Sequence, residues 1–143
     1  MKSFWLILVA LLVGVASADV PPSLQGPPII DAREQSTLRD HLGQRVIVTG
    51  TIDKAEWSRS GKVMIVTFKG VPDTRFSLAS FSSTRDAFDG GFAGNVAKAL
   101  QSSKVRIKGI VEPYGGRDER MKDGLQILLR YPNQITILEL DPS

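Results

Sequence analysis

Two stretches decide how this chain folds: Arg45-Val46-Ile47-Val48-Thr49-Gly50-Thr51-Ile52 and Lys104-Val105-Arg106-Ile107-Lys108-Gly109-Ile110-Val111. In both, apolar residues recur at every second position, the side-chain period of a β-strand. In the first, Val46, Val48 and Ile52 share one face, while Ile47, Thr49, Thr51 and Asp53 share the other. In the second, Val105, Ile107 and Val111 point inward, and Arg106, Lys108 and Glu112 point outward. Each stretch carries a glycine, Gly50 or Gly109, on its apolar parity. A glycine there marks a bulge or a sharp bend, the device by which a small barrel coils its strands.

Working outward from the first stretch, Arg45–Trp57 is predicted to be one long strand. Ser58–Gly61 turns the chain into a second strand, Lys62–Lys69, rich in Val, Ile, Met and Phe. Gly70–Thr74, with Pro72 and Asp73, turns it again into Arg75–Phe81, which completes a three-stranded meander. Before the meander, residues 32–42 predict a short helix. Asp31 is placed to cap it, Glu34 three residues later makes a capping-box pattern, and Gly43 stops it. Leu38 and Leu42, four apart, would share its buried face. After the meander, Ser82–Leu100 interrupts the strands with two helical pieces. One is capped by Ser83 or Thr84 and runs to Phe88; the other covers Ala93–Leu100; Gly90-Gly91 separates them. Lys104–Glu112 is a fourth strand, residues 113–124 a long polar connection, Leu125–Arg130 a fifth strand, and Gln134–Leu138 a short closing one.

This order predicts a mainly β fold: a five-stranded Greek-key barrel of the OB type, with a helical insert between strands three and four and a short helix in front. The domain is expected to span residues 32–140. Residues 19–31 hold Pro21, Pro22, Pro27, Pro28 and Gly26, which suits an extended linker or a strap lying along the barrel.

The same residues carry a resemblance. The run Gln44–Ile52 looks like the opening strand of bacterial OB-fold nucleic-acid-binding domains. Lys104–Val111, Tyr114-Gly115-Gly116, Leu125-Gln126-Ile127 and Pro132-Asn133-Gln134-Ile135 are similar to their closing half. The resemblance spans roughly residues 33–138 and implies a binding module. The chain departs from the pattern at Arg117–Gly124, a charged segment that lengthens the hairpin before the fifth strand.

Residues 1–18 read as a leader for export. Met1-Lys2 supplies a positive start, Phe4–Val15 an apolar run, and Ala16-Ser17-Ala18 the small residues of a cleavage site. The apolar run falls short of the about 20 residues of a transmembrane helix, so no span is expected after cleavage. The alternative is an uncleaved N-terminal anchor. No cysteine occurs, which removes lipid attachment at a leader cysteine, disulfides and thiolate metal sites. The expected location is periplasmic or secreted.

Nothing in the sequence assembles a catalytic constellation, so the expectation is a protein that is not an enzyme, with no cofactor and no metal. His41 is the only histidine and falls in the short helix. Asp118, Glu119 and Asp123 are interleaved with Arg117, Arg120 and Lys122, the pattern of a solvated, self-compensating loop. Gly90-Gly91 and Gly115-Gly116 lack the spacing and the Lys-Ser/Thr of a phosphate loop. Loss of Lys2 with the leader leaves 17 Lys and Arg against 15 Asp and Glu, a net +2 that permits nucleic-acid binding without demanding it.

An OB barrel offers its ligand the outer face of strands two and three, framed by the loops after strands one and four. Single-stranded nucleic acid needs stacking aromatics and phosphate-binding cations there. The first framing loop holds Trp57, Arg59 and Lys62, and the second holds Tyr114, Arg117, Arg120 and Lys122. Lys69 and Arg75 sit at strand ends, and Arg106 and Lys108 project outward from strand four. These eleven residues are the candidate nucleic-acid site. Phe68, Phe76 and Phe81 read as core. The other reading is a cell-envelope accessory module that uses this groove or an open strand edge to contact a protein or a glycan.

Overall fold

The computed structural model describes residues 26–139. The leader and most of the Pro-rich stretch lie outside them. In chain order the elements are strand β1 (Ile29–Asp31), helix α1 (Gln35–Asp40), strands β2 (Arg45–Trp57), β3 (Val63–Phe68) and β4 (Phe76–Phe81), helices α2 (Arg85–Gly91) and α3 (Val96–Leu100), and strands β5 (Lys104–Ile110), β6 (Glu112–Pro113), β7 (Leu125–Leu128) and β8 (Ile135–Glu139).

The fold is mainly β, and a single strand organises it. The first half of β2, Arg45–Thr51, pairs antiparallel with β5, and its second half, Ile52–Trp57, pairs antiparallel with β3. Where the partners change, the register slips between Ile52 and Lys54, past Gly50, which itself pairs regularly with Val105. A Cβ on Gly50 would stand 2.7 Å from the Phe68 ring, so only a hydrogen fits where β2 crosses the core. Gly109 does the same for β5, where a methyl would collide with Cγ2 of buried Ile127. Both glycines keep regular pairing within the β2–β5 ladder, and the register slips elsewhere, between Ile52 and Lys54 and between Lys104 and Val105, so close approach to the core is what requires them.

The meander β2–β3–β4 continues into β7, which runs parallel to β4 with Leu78 opposite Ile127. β6 then pairs with β7, and only Val111 separates β6 from β5. The sheet thus curls back on itself around a core that includes Val46, Val48, Ile52, Phe68, Phe76, Leu78, Val105 and Ile107. Phe68 and Phe76 stack at 5.8 Å between ring centroids.

The insert between β4 and β5 seals one end of this core with Phe88, Val96 and Leu100, all fully buried. Gln101 anchors it. Its amide donates to the Asp53 carbonyl at 2.6 Å and accepts from Ala55 N–H at 3.2 Å, satisfying backbone groups at the slip in β2. Gln134 does the corresponding work before β8. Its nitrogen donates to the carbonyls of Lys108 and Leu128, and its oxygen accepts from the N–H groups of Arg130 and Tyr131.

Four local expectations are corrected. Asp31 does not cap α1: it belongs to β1, which pairs parallel with β2, and its carboxylate takes the Arg33 N–H and guanidinium instead. That hydrogen bonding holds the Asp31 carboxyl down at about 2. The strand pairing also begins at Ile29, inside the stretch read as linker. α1 is shorter than 32–42 and ends at Asp40, so Leu38 is buried while Leu42 lies past the helix and is exposed. Phe81 is not core: it is 49% exposed, because β4 carries its buried parity on Phe76, Leu78 and Ser80.

Gly109→Ala is expected to destabilise the domain by about 1–3 kcal/mol, the usual cost of overpacking. Chemical denaturation checks this. Pairing it with Ile127→Ala, which removes the colliding methyl, should cost less than the sum of the single changes.

Candidate nucleic-acid interface

Register defines the outer face of β3 and β4. Met64 opposite Ser80 and Val66 opposite Leu78 point into the barrel, so Val63 opposite Phe81 and Ile65 opposite Ala79 point out. Lys54 and Glu56 of β2 extend this face, opposite Thr67 and Ile65. Phe81 is the large aromatic that this face exposes, and its neighbours Val63 and Ile65 are half-buried. No sequence signal separates Phe81 from Phe76 five residues earlier. Only the strand register assigns them to opposite faces.

At one end of the face, Ser58–Gly61 forms a tight turn closed by Ser58 N–H to the Val63 carbonyl, with Gly61 at φ +73°. Arg59 and Lys62 are exposed there, and the Lys62 carbonyl accepts from Ser82 N–H, so this turn adjoins Phe81. Trp57 stands differently. It pairs opposite Met64, on the inward parity, packs against the core, and has the Arg85 guanidinium over its ring at 4.4 Å. A cation–π contact therefore already occupies the ring face that stacking would use. No local sequence pattern singles out Arg85, which lies 28 residues further along the chain.

At the other end, Lys69 and Arg75 are exposed around the turn between β3 and β4. The long connection 114–124 packs beside this turn. Gly124 fits so closely that a Cβ would lie 2.6 Å from the Thr74 carbonyl, and Met121 is buried. Arg39 of α1 donates to the Asp123 carbonyl. Within the loop the Tyr114 hydroxyl accepts from Asp118 N–H at 3.3 Å, and a side chain on Gly116 would strike that hydroxyl. Tyr114 is thus folded over its own loop and half-buried. Arg120 is paired with Asp118 at 2.9 Å and with Asp73 at 3.7 Å, and the Asp118 contact lowers that carboxyl. Arg117 and Lys122 are exposed and make no ion pair among the described residues.

Arg106 and Lys108 belong to a third place. They stand on β5, which pairs with β2 and β8 and with neither β3 nor β4. With Lys104 they form three exposed cations on alternate positions of one strand. Lys108 also lines a cleft of about 370 Å³ between β5 and the turn after β7, beside Arg45, Arg130 and Tyr131. The candidate residues therefore divide between two ends of the β3–β4 face and a separate row on β5.

No protein-family model matches the chain, and no curated protein matches it. Among solved structures, the chain is similar to part of an aspartyl-tRNA synthetase from Entamoeba histolytica. That match has 13% identity and a TM-score of 0.51, and covers 87% of this chain and 24% of that one. It is likewise similar to part of an aspartyl-tRNA synthetase from Leishmania major Friedlin, at 10% identity and a TM-score of 0.51, over 93% of this chain and 26% of that one. The chain thus spans about a quarter of the length of either synthetase. An OBody bound to hen egg-white lysozyme matches with 22% identity and a TM-score of 0.46, over 71% of this chain and 86% of that one. The likeness to the synthetases shows a fold of the OB type. Among the described residues, no helix is long and apolar enough to cross a membrane.

The contrast between the two aromatics is measurable. Trp57→Ala should lower stability by about 2 kcal/mol through lost packing, whereas Phe81→Ala should stay within about 1 kcal/mol of the parent. Equal losses in urea unfolding would contradict the assignment of their faces.

Proposed function

We propose that this chain is a non-catalytic, exported binding module, a five-stranded Greek-key OB barrel that takes single-stranded nucleic acid across the outer face of β3 and β4. The observation that carries this reading is Phe81. A large aromatic half-exposed on a β face costs apolar hydration and contributes little to the core, so its place is best explained by a ligand with a flat apolar surface. Cations stand where phosphates would follow: Arg59 and Lys62 beside Phe81, and Lys69, Arg75, Arg117 and Lys122 at the far end. Ser77 and Ala79, on the same parity of β4 as Phe81, are buried, so Phe81 is the residue of this strand left open to a ligand. The synthetases with the same fold are named for a nucleic acid, tRNA, which agrees with the reading. Arg120 contributes less to it, since two carboxylates already share its charge.

In this reading the leader is removed after Ala18, and intact mass of the exported protein should place its first residue at Asp19. A mass that retains residues 1–18 would favour the anchored form.

The test of ligand class is titration of a fluorescent oligonucleotide over a salt series. Affinity should fall with rising salt as phosphate contacts release counterions. Phe81→Ala should weaken binding about ten-fold, the order of one lost stacking contact. A folded protein that binds no oligonucleotide at low salt would overturn the reading. The second reading, an envelope module that contacts a protein or glycan, rests on Ile29 at 59% and Leu138 at 45% exposure, on strands β1 and β8 at the margins of the sheet. Unpaired strand edges of this kind recruit partners by adding a strand.

A further inference from the structure

The cleft between β5 and the turn after β7 lies outside the face just described and meets it only at Leu128, which pairs with Ala79 of β4. Its volume of about 370 Å³ is at the small end of the range for small-molecule sites. Three cations line it, Arg45, Lys108 and Arg130, and one carboxylate, Glu112. All three cations are exposed, and none forms an ion pair among the described residues. Lys104 and Arg106 continue the positive row along β5 towards the cleft, two residues or about 6.7 Å apart.

Tyr131 stands at the rim and is 65% exposed. Its backbone is fixed in place. Gln134 holds the Tyr131 backbone from both sides, accepting from its N–H through the side chain and donating to its carbonyl through the main chain. The Gln134 amide is fully engaged by four backbone groups, so it forms wall rather than ligand contact. A ring carried on a fixed turn at the rim of a cleft with three unpaired cations needs no backbone ordering when a ligand arrives.

We propose that this cleft binds a nucleotide by its phosphate. Arg45, Lys108 and Arg130 take the phosphate, Tyr131 stacks on the base, and Glu112 accepts from sugar hydroxyls or base amino groups. The chemistry separates this ligand from a plain polyanion. A polyanion would leave the Tyr131 ring unused and would be repelled by Glu112, whereas a nucleotide supplies a π-face and hydrogen-bond donors for both. The same chemistry is offered by a free mononucleotide and by the phosphorylated end of a strand.

The test uses the mature chain and calorimetric titration at low salt with adenosine 5′-monophosphate, adenosine and inorganic phosphate. The nucleotide should bind, and the two fragments should each bind at least about ten-fold more weakly, since each forgoes either stacking or charged hydrogen bonds. Tyr131→Ala and Arg130→Ala should each weaken the nucleotide about ten-fold. Both side chains are exposed, so neither change threatens the fold. Nucleotide affinity that falls with Phe81→Ala and not with Tyr131→Ala would place the binding on the β3–β4 face and overturn the proposal. Oligonucleotides with and without a 5′-phosphate then identify the source. A Tyr131-dependent preference for the phosphorylated strand supports a strand end, and equal affinities alongside nucleotide binding support the free nucleotide. No nucleotide binding by folded protein, binding no tighter than phosphate alone, or binding that Tyr131→Ala leaves intact would each overturn the proposal.

Discussion

Strand β2 must serve several ladders at once, and the rest of the structure depends on how it does so. Its first half pairs with both β1 and β5 and its second half with β3. The register slips where the partners change, and there and along β5 the backbone comes close to the side chains that fill the interior. Gly50 under Phe68 and Gly109 against Ile127 are where that approach is tightest. Both glycines lack the side chain that their position in the alternation would otherwise bury, and Phe68 and Ile127 fill the space instead. At these two positions close backbone approach and core filling are one event.

A register slip leaves backbone groups that no neighbouring strand reaches. Unpaired and shielded from water, each would cost roughly 1–3 kcal/mol. The chain resolves this with side-chain amides, which carry a donor and an acceptor at one tip and so can stand in for a peptide unit. Gln101 does so at the slip in β2, and Gln134 at the crossing between β5 and the end of β7. Each also joins elements far apart in sequence. Gln101 fastens the helical insert over the core, and Gln134 orders the turn that carries Arg130 and Tyr131. A chain without cysteine has no disulfide for either task.

What could be read from the sequence follows the same division. Period two in Arg45–Trp57 and Lys104–Val111 reports burial on one face, a local property, and it located the strands within a residue or two. The glycines on the apolar parity were legible for the same reason. The role of Gln134 was not, because an amide spanning residues 108 and 128 has no local pattern. Nor was the side of the sheet on which an aromatic falls when both neighbours are small or apolar. β4 reads Phe76-Ser77-Leu78-Ala79-Ser80-Phe81, and buried Ser77, Ala79 and Ser80 erase the contrast between its faces. Trp57 read as a loop residue free to stack, whereas Arg85, 28 positions on, lies over its ring. Asp31 read as a helix cap because Glu34 follows at the right spacing, yet parallel pairing with β2 claimed its backbone first.

Charge shows why composition and surface electrostatics part company. The formal net charge is +3 over 143 residues, close to balance. Yet the balance is not distributed evenly. In the long connection, acidic and basic residues alternate closely enough to satisfy one another, as Arg120 does with Asp118 and Asp73. On β5, alternation acts in the opposite sense: a strand sends every second residue outward, so Lys104, Arg106 and Lys108 share one side, and only Lys104 has an acidic residue, Glu139, opposite it in the register. Neither β2 nor β8 pairs an acidic residue with Arg106 or Lys108: their partners there are Thr49, Thr136 and Ile47. The strand period that builds the core therefore also concentrates positive charge on its outer side. A partner carrying phosphates would meet that local field, which depends on how charges are paired in space and hardly at all on their sum.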